Sequence, residues 1–305
     1  MTGSAGQSGQ DRQAALVRAM PAVFVLIWST GFIVARYGMP HAPPMKFLAM
    51  RYFLSVVCFA AWALMARAAL PANRRQVGHL AITGILMHAG YLGGVWAAVK
   101  LGMGAGLTAL LVGLQPVLTA VWVSSWGGSV SSRQWAGLAM GLLGLALVVW
   151  QKLGVGEIHA LNFSLALMAL VSITAGTLYQ KRFVTPCDVR TASLVQLCAA
   201  FAVTMPLALL ETEAMRWNGE LAGAMAWSVL ALTLGGSSLL YLLIQKGAAT
   251  AVTSLLYLVP PCTAVMAAIL FGEDITAFTI AGMALAAIGV SLVVRSPAPP
   301  RAATR

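Results

Sequence analysis

His88 and Tyr91 stand three residues apart inside one long apolar run. Thr233, Ser237, Tyr241 and Gln245 recur every fourth residue inside another, with Ser238 beside them. On a helix of 3.6 residues per turn each set shares a face. In hydrocarbon a polar side chain is costly unless it meets a neighbouring helix or water, so these faces either line a cavity or make interhelical hydrogen bonds. Thr108, Gln115, Thr119 and Trp122 form a third set, with Gln115 just before Pro116, and Thr253 and Tyr257 precede Pro260-Pro261. Proline removes a backbone donor and bends a helix, which exposes carbonyl acceptors. Trp28-Ser29-Thr30, Trp96 and Tyr179-Gln180 complete the candidates. Trp96 and Tyr179-Gln180 lie near the ends of their runs, where an interfacial anchor is the competing reading. These residue types supply recognition: ring faces for an apolar side chain, and hydroxyls, amides and backbone groups for a zwitterionic head. The expected substrate contacts are Trp28, Ser29, His88, Tyr91, Trp96 and Gln115 in the first half of the chain, and Tyr179, Ser237, Tyr241 and Tyr257 in the second.

Catalysis fits these residues poorly. The acidic residues Asp11, Glu157, Asp188, Glu211, Glu213, Glu220, Glu273 and Asp274 lie between apolar runs or at their edges. None can orient His88 as in a hydrolytic triad, and no HExxH or phosphate-cradling Gly-Lys motif is present. His41, His79, His88 and His159 are too dispersed for a metal site, and Cys58, Cys187, Cys198 and Cys262 form no CxxC pair. No catalytic residue, metal, cofactor or disulfide is therefore expected. Arg51 is the one charge well inside an apolar run. It either snorkels and bonds neighbouring carbonyls or attracts a substrate carboxylate.

The elements that must position these residues follow from composition. Of 305 residues 60% are hydrophobic and 9% charged, too few charges to cover a water-soluble domain. The net charge of +11 is scattered singly between apolar runs, which argues topology and not a nucleic-acid partner. Ten apolar runs are each near the length of a membrane span: 19–36, 45–66, 78–99, 102–125, 133–150, 161–180, 190–210, 222–245, 247–271 and 275–294. The fold class expected is an all-α integral membrane protein, and the run after the polar first 18 residues serves as an uncleaved first span. With the N-terminus inside, 13 basic residues fall on the cytoplasmic side and five on the other, so both termini are expected in the cytoplasm.

The chain also repeats itself at an offset of 145 residues. Thr108, Leu110, Leu111 and Pro116 recur as Thr253, Leu255, Leu256 and Pro261, while Gly137 and Gly144 recur as Gly282 and Gly289. Gly31 maps onto Gly176, Trp96 onto Tyr241, and Arg51 onto Gln196. The organisation expected is a tail 1–18, a first five-helix repeat 19–150, a second repeat 151–294 and a tail 295–305. Five spans is an odd number, so the second repeat is inverted relative to the first, the plan of many secondary transporters with a site near the bilayer midplane. The pocket is expected between spans 1, 3, 4, 6, 8 and 9. The glycine-spaced spans 5 and 10 are expected to pack at the periphery. Gly137 and Gly141 read as close helix packing more than as a dimer signal, leaving a monomer or weak homodimer.

Two five-span repeats, the prolines of spans 4 and 9, the FGED end of span 9 at 271–274, and the spans GLAMGLLG and GMALAAIG resemble the drug/metabolite transporter superfamily in its EamA-type branch. The resemblance covers essentially the whole chain and implies a multi-pass protein of the cell inner membrane. It would export small molecules by alternating access, most readily amino acids with aromatic or bulky apolar side chains. Its partners would then be a small-molecule substrate and the lipid bilayer. A drug or nucleotide-sugar permease is the alternative within transport, and a non-transporting membrane partner or lipid-handling protein the alternative outside it. One departure is visible: the first-repeat counterpart of Glu273 is Gly128, so the repeats carry no matched acid there.

Overall fold

A computed structural model of the chain describes residues 22–125, 131–153, 156–236, 239 and 258–294. Local signals set where its helices begin. Asn73 accepts the N–H of Gln76 (2.8 Å), Asn218 that of Leu221 (2.8 Å), and Asp188 that of Arg190 (2.9 Å). A cap of this kind satisfies an orphan donor and contributes about 1 kcal/mol. The Arg190 side chain also hydrogen bonds to Asp188, which holds that carboxyl below the usual carboxylate range. His159 and Asn162 cap one another reciprocally at a further start, and Pro44 opens another in the first turn, where its missing N–H matters little.

Among the described residues every regular element is helical, and there are ten helices. They are α1 (Ala22–Gly38), α2 (Pro44–Met65), α3 (Arg74–Lys100), α4 (Ala105–Val112 and Gln115–Ser125), α5 (Ser132–Leu153) and α6 (Ala160–Phe183). The rest are α7 (Val189–Leu210), α8 (Gly219–Trp227 continuing through Ser228–Gly236), α9 (Val259–Phe271) and α10 (Ala277–Val294). Six of them, α2 to α7, hold stretches long and apolar enough to cross a bilayer, while α1, α9 and α10 are shorter apolar helices. The expectation of ten full spans is thus met in helix number and in six lengths. Residues 240–257, which carry much of the expected spans 8 and 9, lie outside the described residues.

Two departures from regular α-helix matter for the site. α4 breaks at Gly113-Leu114 because Pro116 has no N–H for the Val112 carbonyl and its ring crowds that turn. The break lies against the start of α9, where a Cβ on Gly113 would press on the Pro260 ring. The second departure is paired. α3 becomes π-helical over Ile85–Gly90, and α8 over Ser228–Gly236.

Connections alternate between two faces of the bundle. On one, Lys100 donates to the Met39 carbonyl, Asn162 to that of Leu101, and the backbone of Arg216 to that of His41. On the other, Gln76 donates to the Thr185 carbonyl and Thr191 to that of Ala69. α2 and α7 lie together and are tied at both ends. Glu211, at the end of α7, accepts the N–H groups of Met45 and Lys46 in the first turn of α2 (3.0 and 2.8 Å), and Thr191, in the first turn of α7, reaches Ala69 just past α2 (2.8 Å).

Contacts recur under the 145-residue offset. Gly31 faces Leu232, and their counterparts Gly176 and Met87 also meet. α5 and α10 cross with backbones nearly touching: a Cβ on Gly144 would collide with the Gly282 carbonyl, and one on Gly289 with that of Gly137. Small residues make such crossings in lipid, where helices gain no hydrophobic advantage from meeting and hold by close packing. Large apolar side chains such as Phe53, Val57, Leu143, Trp150 and Leu209 point outward, tolerable on a surface that faces lipid.

Candidate functional site

Arg51 sits in the second turn of α2 and is 6% exposed. A guanidinium there needs acceptors, and among the described residues the one it finds is Thr233, whose Oγ1 accepts from Nη2 at 3.1 Å and from Nε at 3.3 Å. Thr233 in turn donates to the Ser228 carbonyl at 2.8 Å, five residues back, so the π-helical stretch of α8 supplies both the hydroxyl and its anchor. Beside Arg51, the Tyr52 hydroxyl donates to the His88 carbonyl (2.9 Å), and its ring meets the His88 ring edge-on at 6.1 Å. The His88 side chain lies beside that of Gln196 on α7. Among the described residues no carboxylate lies within ion-pair distance of Arg51.

The arrangement has twofold logic. Adding 145 turns Arg51 into Gln196 and His88 into Thr233. One half of the layer therefore pairs Arg51 of α2 with Thr233 of α8, and the other pairs Gln196 of α7 with His88 of α3. His88 and Thr233 both lie within the π-helical stretches. A π turn shifts the hydrogen-bond register by one residue, is frequent at functional sites, and here turns a polar side chain into the same layer in each half.

Family comparison assigns the chain on this architecture. Residues 19–150 and 161–295 each match the EamA-like transporter family. The chain belongs to that family. This EamA-like transporter is 25% identical over 281 residues to a Salmonella typhimurium protein named as a probable amino-acid metabolite efflux pump, covering 88% of this chain and 92% of that one. It is also 25% identical over 268 residues to YedA of Escherichia coli (strain K12), named as an uncharacterized inner membrane transporter, with coverages of 87% and 84%. Its backbone is similar to that of another protein of known crystal structure, with a TM-score of 0.63 at 15% identity, over 91% of this chain and 96% of that one. The relatives are named as transporters, and the apolar helices agree with a multi-pass inner-membrane protein that carries a small molecule.

Within this EamA-like transporter the expected contact residues are distributed unevenly. His88 and Tyr91 stand in the Arg51 layer, His88 half-buried and Tyr91 buried. Trp28 packs on Phe24 (5.3 Å) and borders Gly236 at the end of the π-helical stretch. Gln115 ties α4 to α6 through the Thr177 hydroxyl (2.9 Å). Ser29, expected at the lining, is fully buried: its hydroxyl donates to the Val25 carbonyl one turn back, and its carbonyl accepts from Thr263 of α9. Trp96, also expected at the lining, is 1% exposed and stacked on Phe47 at 4.3 Å. That makes it core, because Phe47 of α2 and Gly38 at the end of α1 close over it. Tyr179 hydrogen bonds to His79 (2.8 Å) and packs on Phe183 at the face opposite Glu211. Ser237, Tyr241 and Tyr257 lie outside the described residues.

Residues missed from the sequence are Thr233 as the acceptor for Arg51, and Tyr52 as the link to His88. The signal was present: applying the offset to Arg51 and His88 together pairs each with the other's counterpart. With α4 and α9, spans 5 and 10 border a small cavity of about 20 Å³, room for about one water, lined by Lys152, Glu157, Glu273 and Thr279. In it Lys152 pairs with Glu157 (2.7 Å), and Glu273 accepts the N–H of Ala105 (3.0 Å). Among the described residues no group of three or more His, Cys, Asp or Glu is placed to hold a metal.

Proposed function

We propose that this EamA-like transporter exports amino acids, preferentially those with aromatic or bulky apolar side chains, by alternating access of ten spans in two inverted repeats, 19–150 and 151–294. The observation that carries the reading is the polar layer inside the bundle, where Arg51, Thr233, His88 and Gln196 meet across the two halves beside the Tyr52 and Tyr91 rings. Charged and amide groups suit a zwitterion, and aromatic faces suit its side chain. The efflux-pump name of the Salmonella relative supports the same substrate class. Both termini lie in the cytoplasm, on the basic-residue count. The substrate contacts are His88, Tyr91, Trp28 and Gln115, together with Ser237, Tyr241 and Tyr257 from the second half, and the protein works as a monomer or weak homodimer.

Flux from proteoliposomes loaded in turn with phenylalanine, tryptophan, leucine, threonine and alanine tests this. Saturable efflux ordered from aromatic to small is the expected result. Leak indistinguishable from protein-free vesicles for every amino acid would remove the reading. Gly3→Cys and Ala303→Cys, in a chain whose native cysteines are serine, should label only once the membrane is opened.

A further inference from the structure

We propose that Arg51 is the anion-binding residue of the substrate site, receiving a carboxylate in a fork held between α2 and α8. The inference rests on the amino-acid reading for the identity of the substrate, and on the geometry for the place of the carboxylate.

A guanidinium carries five N–H donors, and the described contacts of Arg51 run from two nitrogens to one neutral hydroxyl. A buried charge away from water is costly unless it is paired. Every acidic residue except Asp11 is described, and all of them lie at helix ends or in connections. The protein thus buries a cation and supplies no anion to it among the described residues.

Snorkelling does not account for the side chain. Arg51 is seven residues into α2, about 10 Å along the helix from the face that carries Glu211. Thr233 is 14 residues into α8 from the same face, about 20 Å deep. The guanidinium therefore reaches inward from its own Cα, not out to the nearer face.

Its orientation is prepared. Thr233 accepts from Nε and Nη2 while its own proton goes to the Ser228 carbonyl, which fixes one edge of the planar group and leaves the other donors for a ligand. Planar guanidinium and carboxylate match in a two-bond fork, which lysine cannot reproduce. The symmetry-related position is the neutral Gln196, so the layer has one cationic end and its anion preference is directional.

The test uses the purified full chain and three probes sharing one ring: L-phenylalanine, 3-phenylpropionate, which keeps only the carboxylate, and phenethylamine, which keeps only the amine. Equilibrium binding of each radiolabelled probe is measured for the wild type, Arg51→Lys and Arg51→Gln, with thermal stability as the check on folding. Arg51→Gln should weaken both carboxylates at least about tenfold, the scale of a charge-assisted hydrogen bond, and leave phenethylamine unchanged. Arg51→Lys should fall between. Equal loss of all three probes, or no loss of the carboxylates, overturns the proposal, and so does a wild type that binds neither carboxylate. If Arg51→Gln does not fold, Arg51→Lys decides on the same criterion. A wild type that binds 3-phenylpropionate through Arg51 but no amino acid removes the amino-acid reading and keeps the anion site.

Discussion

At Arg51 the second helix of the first half delivers a guanidinium to a threonine hydroxyl. At Gln196, 145 residues on, the second helix of the second half delivers an amide to a histidine ring. Backbone and register match at the two places, since both partners sit in π-helical stretches and the glycine contacts beside them, Gly31 to Leu232 and Gly176 to Met87, are counterparts. The chemistry does not match. Matched shapes with diverged side chains are what the proposed exchange between two conformations, and a ligand with two different ends, would require.

Moving the charge breaks the comparison most severely. Arg51→Gln should lower phenylalanine efflux at least about tenfold, and the exchange variant Arg51→Gln/Gln196→Arg should not recover it, because the relocated guanidinium meets His88 in place of a hydroxyl. Recovery in proteoliposome flux would mean that the halves are chemically interchangeable. Next in size is the difference between the two pairings. Thr233→Val strands a buried cation and should cost about 1.5–3 kcal/mol, whereas Gln196→Leu removes only an uncharged polar neighbour of His88 and should cost about 0.5–1.5 kcal/mol. Thermal unfolding in detergent measures both, and the reverse order would contradict the assignment of the charged end.

Substrate selection gives a smaller effect. Tyr91→Ala should reduce phenylalanine transport more than threonine transport, by up to about tenfold for one lost ring pair. Equal reduction of the two would make Tyr91 a packing residue. Smallest is the effect of His88→Gln on total flux. This change keeps a polar side chain beside Gln196 but removes a titratable ring, so any dependence of efflux on a pH gradient should vanish, with downhill flux reduced less than in Tyr91→Ala. Gradient-driven accumulation surviving in His88→Gln would place coupling elsewhere.

Much of this fold is legible in the amino acids. The run 45–66 becomes Pro44–Met65 and 161–180 becomes Ala160–Phe183, because uninterrupted apolar length is itself the requirement for crossing hydrocarbon. The run 78–99 lengthens to Arg74–Lys100, since the basic first turn after the Asn73 cap is helical without being apolar. The site is less legible. A π turn changes hydrogen-bond register without altering composition, so nothing local marks Thr233 as the residue facing Arg51, 182 positions away. Ser29 and Trp96 mislead for a related reason. Whether a hydroxyl or an indole at a helix face meets a cavity or a neighbour depends on the helix opposite, and here Ser29 turns onto its own backbone while Phe47 covers Trp96.

The pairing of α2 with α7 has a mechanical consequence. Glu211 pins the start of one to the end of the other, and Thr191 with Ala69 does the same at the far face. A beam pinned at both ends deflects as one piece, so Arg51 and Gln196, riding on it, cannot travel independently. Under the proposed alternating access, the bundle would part alongside the beam, with Thr233 and His88 the contacts to be released. Loading one end of such a beam is felt at the other, and a contact given up on one flank would be regained on the opposite one.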